Sequence, residues 1–197
     1  MESIKKSLDH KYIEIVPSSE EEPGPGKAWY LPVFSVLQTK KNKYRLVYDA
    51  AARYNGLSLN DMLIQGPDLN NRLRGVLLRF RERPVAIGAD IEAMFNNFKV
   101  PEEQRDLLRF FWYQDNNCSL PLATYRATSH IFGCNSSPAV AIYGLKFCAT
   151  ESWPEEYNDA KQYINSFYMD DGLFSADSAE TATNILLYFV KAREILI

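Results

Sequence analysis

The chain has 197 residues, 46% of them hydrophobic and 13% aromatic, which suits one core or two small lobes and is the composition of a globular protein, not a disordered one. Its net charge of −3 is unevenly spread: residues 1–26 carry three basic against six acidic groups, residues 27–83 eleven against four, and residues 84–197 eight against fifteen. A basic stretch followed by an acidic one suits a protein that holds a polyanion and also gathers cations. No apolar run approaches the roughly 20 residues needed to cross a bilayer, and the charged start has no signal-peptide core. Cys118, Cys134 and Cys148 are widely spaced, with no Cys-x-x-Cys pair, which argues against a disulfide framework or a zinc site. These features predict an intracellular, cytoplasmic protein with no membrane partner.

In chain order, residues 17–27 (Pro-Ser-Ser-Glu-Glu-Glu-Pro-Gly-Pro-Gly-Lys) read as a linker, so that 1–27 form an N-terminal segment. From Trp29 to Tyr48, two apolar runs flank Lys40-Lys41-Asn42-Lys43 and predict a hairpin with a basic tip. Leu69, Leu73, Val76, Leu77 and Phe80 follow helical spacing up to the stop at Pro84. Arg72, Arg74, Arg79, Arg81 and Arg83 occupy the other side and read as a solvated face. Val85 to Ile91 alternates as a strand with Ala86, Gly88 and Asp90 on one side. Pro101-Glu102-Glu103 opens a further helix, with Pro at its first position. Tyr163 to Tyr168 reads as a strand, Asp170-Asp171-Gly172 as the turn, and Leu173-Phe174 as its continuation. Asp177 and Glu180 are placed to start a last helix. Antiparallel strands with helices packed on one face make an α+β protein.

Asp90 ends one predicted strand, and Asp170 and Asp171 sit in a predicted turn. Side chains of consecutive strand residues point to opposite faces, whereas a turn can aim both at one place. If the two strands are neighbours, three carboxylates converge and repel one another. Divalent cations relieve that repulsion, and Mg²⁺ favours a few carboxylate oxygens together with phosphate and water. Two such ions roughly 3.5–4 Å apart clamp the attacking and leaving oxygens of a phosphoryl transfer. Taken alone, Asp-Asp-Gly is also an ordinary hairpin turn.

The ordered motifs resemble reverse transcriptases. Tyr168-Met169-Asp170-Asp171 matches their Tyr-x-Asp-Asp box, and Ala89-Asp90-Ile91-Glu92-Ala93-Met94-Phe95 resembles their first catalytic motif. Phe132-Gly133-Cys134-Asn135-Ser136-Ser137-Pro138 looks like the Phe-Gly-x-x-Asn-x-Pro box of retrotransposon enzymes, and Arg45-Leu46-Val47-Tyr48-Asp49 like a fingers motif. Trp29-Tyr30-Leu31-Pro32, Ser58-Leu59-Asn60-Asp61 and Gln65-Gly66-Pro67-Asp68-Leu69 narrow the resemblance to BEL/Pao-type LTR retrotransposons, over about residues 28–176.

The resemblance implies a right-hand polymerase. Fingers would comprise 28–84 and 102–135, and a partial palm 85–101 and 136–197. Asp90, Asp170 and Asp171, with the Ile91 carbonyl, would bind two Mg²⁺ ions, Mn²⁺ being a substitute. A primer 3′-hydroxyl would attack the α-phosphate of a deoxynucleotide and expel pyrophosphate. Arg45 would meet the triphosphate, joined by Lys43, with Lys40 and Lys41 as neighbouring candidates. Phe95 would exclude a ribose 2′-hydroxyl. Gly133, Ser137, Pro138, Tyr168 and Met169 would contact the template and primer, with Gly133 and Pro138 shaping the loop that faces the template and the nascent base pair. The implied partners are an RNA or DNA template with primer, dNTPs and the other parts of a retrotransposon polyprotein, with virus-like particles as one setting.

Ala93 and Met94 depart from the acidic or small residues usual in the first motif. The family continues beyond the Tyr-Met-Asp-Asp box into further palm strands, a thumb and an RNase H domain, so the chain is expected to be truncated. The alternative is a catalytically inactive, nucleic-acid-binding remnant. An RNA-dependent RNA polymerase of another lineage ranks below both, because such enzymes favour Gly before Asp-Asp.

Overall fold

Among the described residues, apolar stretches of the chain pair into three small antiparallel sheets. The computed structural model describes residues 2–39, 43–152, 155 and 161–193. The chain divides into two units, Met1–Gln65 with Phe98–Ser137 and Gly66–Asn97 with Pro138–Ile197. The fold class is α+β, as the sequence predicts.

The first unit contains α1 (Glu2–Asp9), β1 (Ile13–Ile15), β2 (Val33–Gln38), β3 (Lys43–Tyr48), α2 (Leu59–Met62), and the later strands named β5 (Arg109–Tyr113) and β6 (Leu122–Ala127). One sheet has the order β1-β6-β5. Phe110, Tyr125, Ile13 and Ala127 face a core shared with Ile4, Leu31, Leu59 and Ile131. Phe110 bridges two rings, stacking on Tyr125 at 5.6 Å and meeting Tyr48 edge-on at 5.4 Å. The expected hairpin is β2–β3, in register from Val33 opposite Tyr48 to Gln38 opposite Lys43. Its tip, including Lys40 and Lys41, lies outside the described residues.

Residues 17–27 differ from the expected free linker. Ser18–Glu20 form a 3₁₀ turn. The Glu20 and Glu21 carbonyls accept hydrogen bonds from the Arg109 guanidinium at 2.6 and 3.1 Å. The Glu20 carboxylate meets Arg126 at 2.6 Å. Arg126 also pairs with Glu14 at 2.7 Å and Asp106 at 2.8 Å. The segment has no apolar side chain to bury, so charge anchors it instead. Pro101 likewise differs in detail. It is the N-cap of a 3₁₀ helix over Glu102–Leu108 rather than the first residue of an α-helix.

The second unit contains α3 (Leu73–Phe80), β4 (Val85–Asp90), α4 (Ser137–Phe147, whose first residue belongs to the first unit), β7 (Phe167–Tyr168), β8 (Asp171–Ala176) and α5 (Ala179–Arg193). Its sheet has the order β4-β8-β7. Ile87 opposes Phe174 and Val85 opposes Ala176, and this face packs on Ala182 and Ile185 of α5.

Four local expectations are corrected in this unit. Helix α3 begins at Leu73, not Leu69, because the Asp68 side chain accepts the Asn70 N–H at 3.0 Å and so competes with helix formation. Of its apolar residues only Val76 is fully buried, while Leu73 and Leu77 are exposed. The arginine face is not simply solvated. Arg79 donates to the Asn165 carbonyl and the Ser166 hydroxyl, and Arg83 pairs with Asp177. Gln162–Ser166 is a 3₁₀ helix, which leaves only Phe167–Tyr168 as strand. The helix α5 is capped by Ser178, whose hydroxyl accepts the Thr181 N–H at 3.1 Å, since Asp177 is engaged by Arg83.

Candidate functional site

The register of the second sheet builds the site. Asp90 is the last residue of β4 and Asp171 the first of β8, and the two are directly opposed. Opposed residues project from the same face, so these two carboxylates lie side by side. Asp170 joins them through the turn. Tyr168 opposes Asp171, which makes Met169 and Asp170 the two central residues of the hairpin. The turn expected at Asp170-Asp171-Gly172 is thus shifted back to Met169-Asp170. The Ile91 N–H donates to the Asp170 carbonyl at 2.9 Å and ties the turn to the end of β4.

One oxygen from each of Asp90, Asp170 and Asp171 lies within 4.8 Å of the others. Asp90 and Asp171 are exposed and Asp170 is half-buried, so the cluster opens to solvent. All the donors are carboxylate oxygens, with no sulfur or imidazole in the group. That donor set suits Mg²⁺ or Mn²⁺ and not a structural zinc. The β4 neighbours of Asp90 on that face, Ala86 and Gly88, are small, and a Cβ built on Gly88 would meet nothing within 4 Å. The opposite face is tightly fitted. A Cβ on Gly172 would lie 2.8 Å from the Phe167 ring.

The turn carries strain. Met169 has a φ of +56°, a left-handed conformation unfavourable for a side chain with a Cβ. Two-residue hairpins require positive φ at their first central position, and Gly is the usual occupant. Met169 and Tyr168 are both half-buried.

The other predicted site residues fall in different places. Phe95 is in a 3₁₀ turn, Met94–Asn97, and is 7% exposed. Arg45 is exposed on β3, opposite Val36, in the first unit. The Lys43 backbone opposes Gln38, and its side chain is outside the described residues. Gly133 has a φ of +116°, and a Cβ there would come within 2.3 Å of the Tyr48 carbonyl oxygen, so only glycine fits. Pro138 is half-buried in the first turn of α4. Ser137 is completely buried and its hydroxyl donates to the Ile131 carbonyl at 2.8 Å, which leaves it no surface to offer a template. It shapes the loop from within.

Sequence reasoning passed over the roles of three asparagines. The Asn60 amide donates to the Gly133 carbonyl at 2.9 Å, while Asn135 donates its backbone N–H to the Asn60 side-chain oxygen and its amide to the Asn60 carbonyl, both at 2.9 Å. This clasp holds the Phe132–Pro138 box against residues that precede it by more than seventy positions. Asn71 donates to the Ile164 carbonyl at 3.2 Å and the Phe167 carbonyl at 2.8 Å, just ahead of the strained turn. The one signal in the sequence was Asn70-Asn71 before a helix that neither caps.

No protein-family model and no curated protein matches the chain. Solved structures do. The crystal structure of native prototype foamy virus protease–reverse transcriptase is 18% identical with a TM-score of 0.64, over 96% of this chain and 21% of that one. The foamy viral enzyme with an RNA/DNA hybrid gives 15% and 0.66, over 98% and 21%. The foamy viral dRH form with double-stranded DNA gives 17% and 0.67, over 97% and 28%. The fold is that of a reverse transcriptase. The chain spans 21–28% of the length of these proteins. Within that fold, an acidic triad that could hold a metal ion stands at the ends of two paired strands. No helix among the described residues is long and apolar enough to cross a membrane.

Proposed function

We propose that the chain is part of an RNA-directed DNA polymerase, from a BEL/Pao-type retrotransposon polyprotein. The observation that carries this reading is the triad of Asp90, Asp170 and Asp171, gathered within 4.8 Å in a reverse-transcriptase fold. The second unit would be the palm, which then takes in residues 66–84, expected from the sequence to lie in the fingers. The first would be the fingers, extended to include the N-terminal residues that its ion pairs bind.

Asp90, Asp170 and Asp171, with the Ile91 carbonyl, are the groups that would hold two Mg²⁺ ions, or Mn²⁺ in their place. Bound there, the ions would neutralise phosphate charge and favour the deprotonated primer 3′-hydroxyl. The remaining work falls to the chain itself. Arg45 and Lys43 would orient the triphosphate, which Arg does with paired donors. Phe95 would set the floor beneath the sugar and so select deoxynucleotides. Gly133 and Pro138 would shape the loop beneath the template base, with Ser137 supporting that loop from inside. Tyr168 and Met169 would seat the primer terminus. A primer-template duplex and dNTPs are the implied partners, in line with the nucleic acids held by the foamy viral structures.

The test is extension of a DNA primer on an RNA template by the intact encoded protein, with dNTPs and Mg²⁺. Extension that Asp170→Asn abolishes, with the variant still folded, is the expected result. A wild-type protein that extends nothing, or a variant that extends equally well, overturns the reading.

A further inference from the structure

We propose that Asn71 is a positioning residue for the carboxylate hairpin, holding its strained turn in the conformation that gathers the three aspartates. The inference rests on the polymerase reading of the same site. It starts from Met169. A side chain held at a φ of +56° persists only where its surroundings over-determine the backbone. The strand leading into it gives little help, since β7 has two residues and two register pairs.

On the far side of the turn, the restraint is the Ile91 N–H on the Asp170 carbonyl at 2.9 Å. On the near side it is Asn71. One amide nitrogen bonds both the Phe167 carbonyl at 2.8 Å and the Ile164 carbonyl at 3.2 Å. It therefore locks the step from 3₁₀ helix to strand, two residues before Met169. Arg79 takes the Asn165 carbonyl and the Ser166 hydroxyl between those two points. The Ile164 carbonyl also accepts the Phe167 N–H, so the bond that Asn71 alone adds at the start of β7 is the one to the Phe167 carbonyl; without it, a shift of β7 would carry Asp170 away from Asp90. The turn also has room to relax. Met169 and Asn71 line the same cavity of about 10 Å³, together with Asn70 and Lys146. That is roughly the space of one water molecule. Asn71 touches none of the three carboxylates in this arrangement and acts on them only through β7.

The alternative is that Asn71 merely caps the 3₁₀ helix and contributes stability. The two roles separate in the 197-residue chain by titration with Mn²⁺, followed by electron paramagnetic resonance, with hydrogen exchange at the Ile91 amide read in parallel. Asn71→Ala is expected to weaken Mn²⁺ binding about fivefold to tenfold, from one or two lost hydrogen bonds, and to speed Ile91 exchange. Met169→Gly removes the positive-φ penalty. In the Asn71→Ala/Met169→Gly double variant, most of the affinity and of the Ile91 protection should return. A merely stabilising Asn71 would not be rescued this way. Wild-type Mn²⁺ affinity and Ile91 protection in Asn71→Ala would overturn the proposal, as would a double variant no better than the single. If the wild-type chain binds no Mn²⁺, the metal reading falls, while Ile91 exchange still decides whether Asn71 holds the turn.

Discussion

The two units are stabilised in different ways. The first has a core of large rings, Phe110, Tyr125 and Tyr48, and an ion cluster in which Arg126 serves three carboxylates. The second sets Asp90 on a face of β4 that carries the small residues Ala86 and Gly88, and holds backbone carbonyls with single side chains. Bulk and charge give the first unit stability. The second spends its close fits on geometry, because three aspartates must stand together at the ends of short strands. Damage to the first unit should therefore show as lost stability, and damage to the second as lost ion binding.

Two glycines break the comparison most directly. Gly133→Ala forces a side chain into a φ of +116° and to within 2.3 Å of a backbone oxygen. Strain and overpacking together should cost about 3–5 kcal/mol, read by urea unfolding, with Mn²⁺ affinity of the folded fraction little changed. Gly172→Ala has no positive φ to contend with, but its methyl meets the Phe167 ring at 2.8 Å. About 1–2 kcal/mol is expected there, together with weakened Mn²⁺ binding, since Phe167 is the start of β7. Equal effects of the two on ion affinity would erase the distinction.

Arg126→Met probes the charge cluster of the first unit. The Arg126 side chain is 11% exposed, and its removal leaves Glu14, Glu20 and Asp106 facing one another. Breaking a fully buried pair costs roughly 3–5 kcal/mol. Glu20 is 47% exposed and water screens it, so about 2–3 kcal/mol is expected here. Thermal unfolding should fall by about 5–10 °C for a chain of this size. Hydrogen exchange in β4 and β8 should stay as in the wild type. Faster exchange there would show that the second unit depends on the first for its order.

The features legible in the sequence were local ones. Alternation from Val85 to Ile91 gave a strand with Asp90 on its small-residue face, and β4 is that strand. The apolar runs around the lysines gave the β2–β3 hairpin. The illegible features all depend on distant partners. Residues 17–27 look like a linker because their partners, Arg109 and Arg126, are about ninety positions away or more. Asp-Gly looks like the turn because local preference favours it. The actual turn, Met169-Asp170, is set by the Ile91 N–H and by a ring that needs Gly172 within a strand. Asn71 carries no local signal, since its two acceptors lie more than ninety residues downstream. The carboxylate triad was readable for the opposite reason. Its chemistry is written in the residues themselves, and only their convergence required the fold.

The smallest expected effect is that of acid. Burial pushes the Asp106 carboxyl up, but hydrogen bonds from Arg109 and Arg126 outweigh it and hold the group below its ordinary value of 3.8. A carboxylate depressed in the folded state stabilises the fold above the unfolded value, and that contribution fades as pH falls through the folded one. The loss should therefore begin below about pH 4 and should be felt first around β5, β6 and the 3₁₀ turn at Ser18–Glu20. Arg126→Met removes one of the two donors that depress Asp106, so the variant should lose less of its remaining stability between pH 5 and pH 3 than the wild type does. Urea unfolding at the two pH values measures the difference. Equal losses in both proteins would mean that the cluster's charges are screened by water, and that the aromatic core alone holds the first unit together.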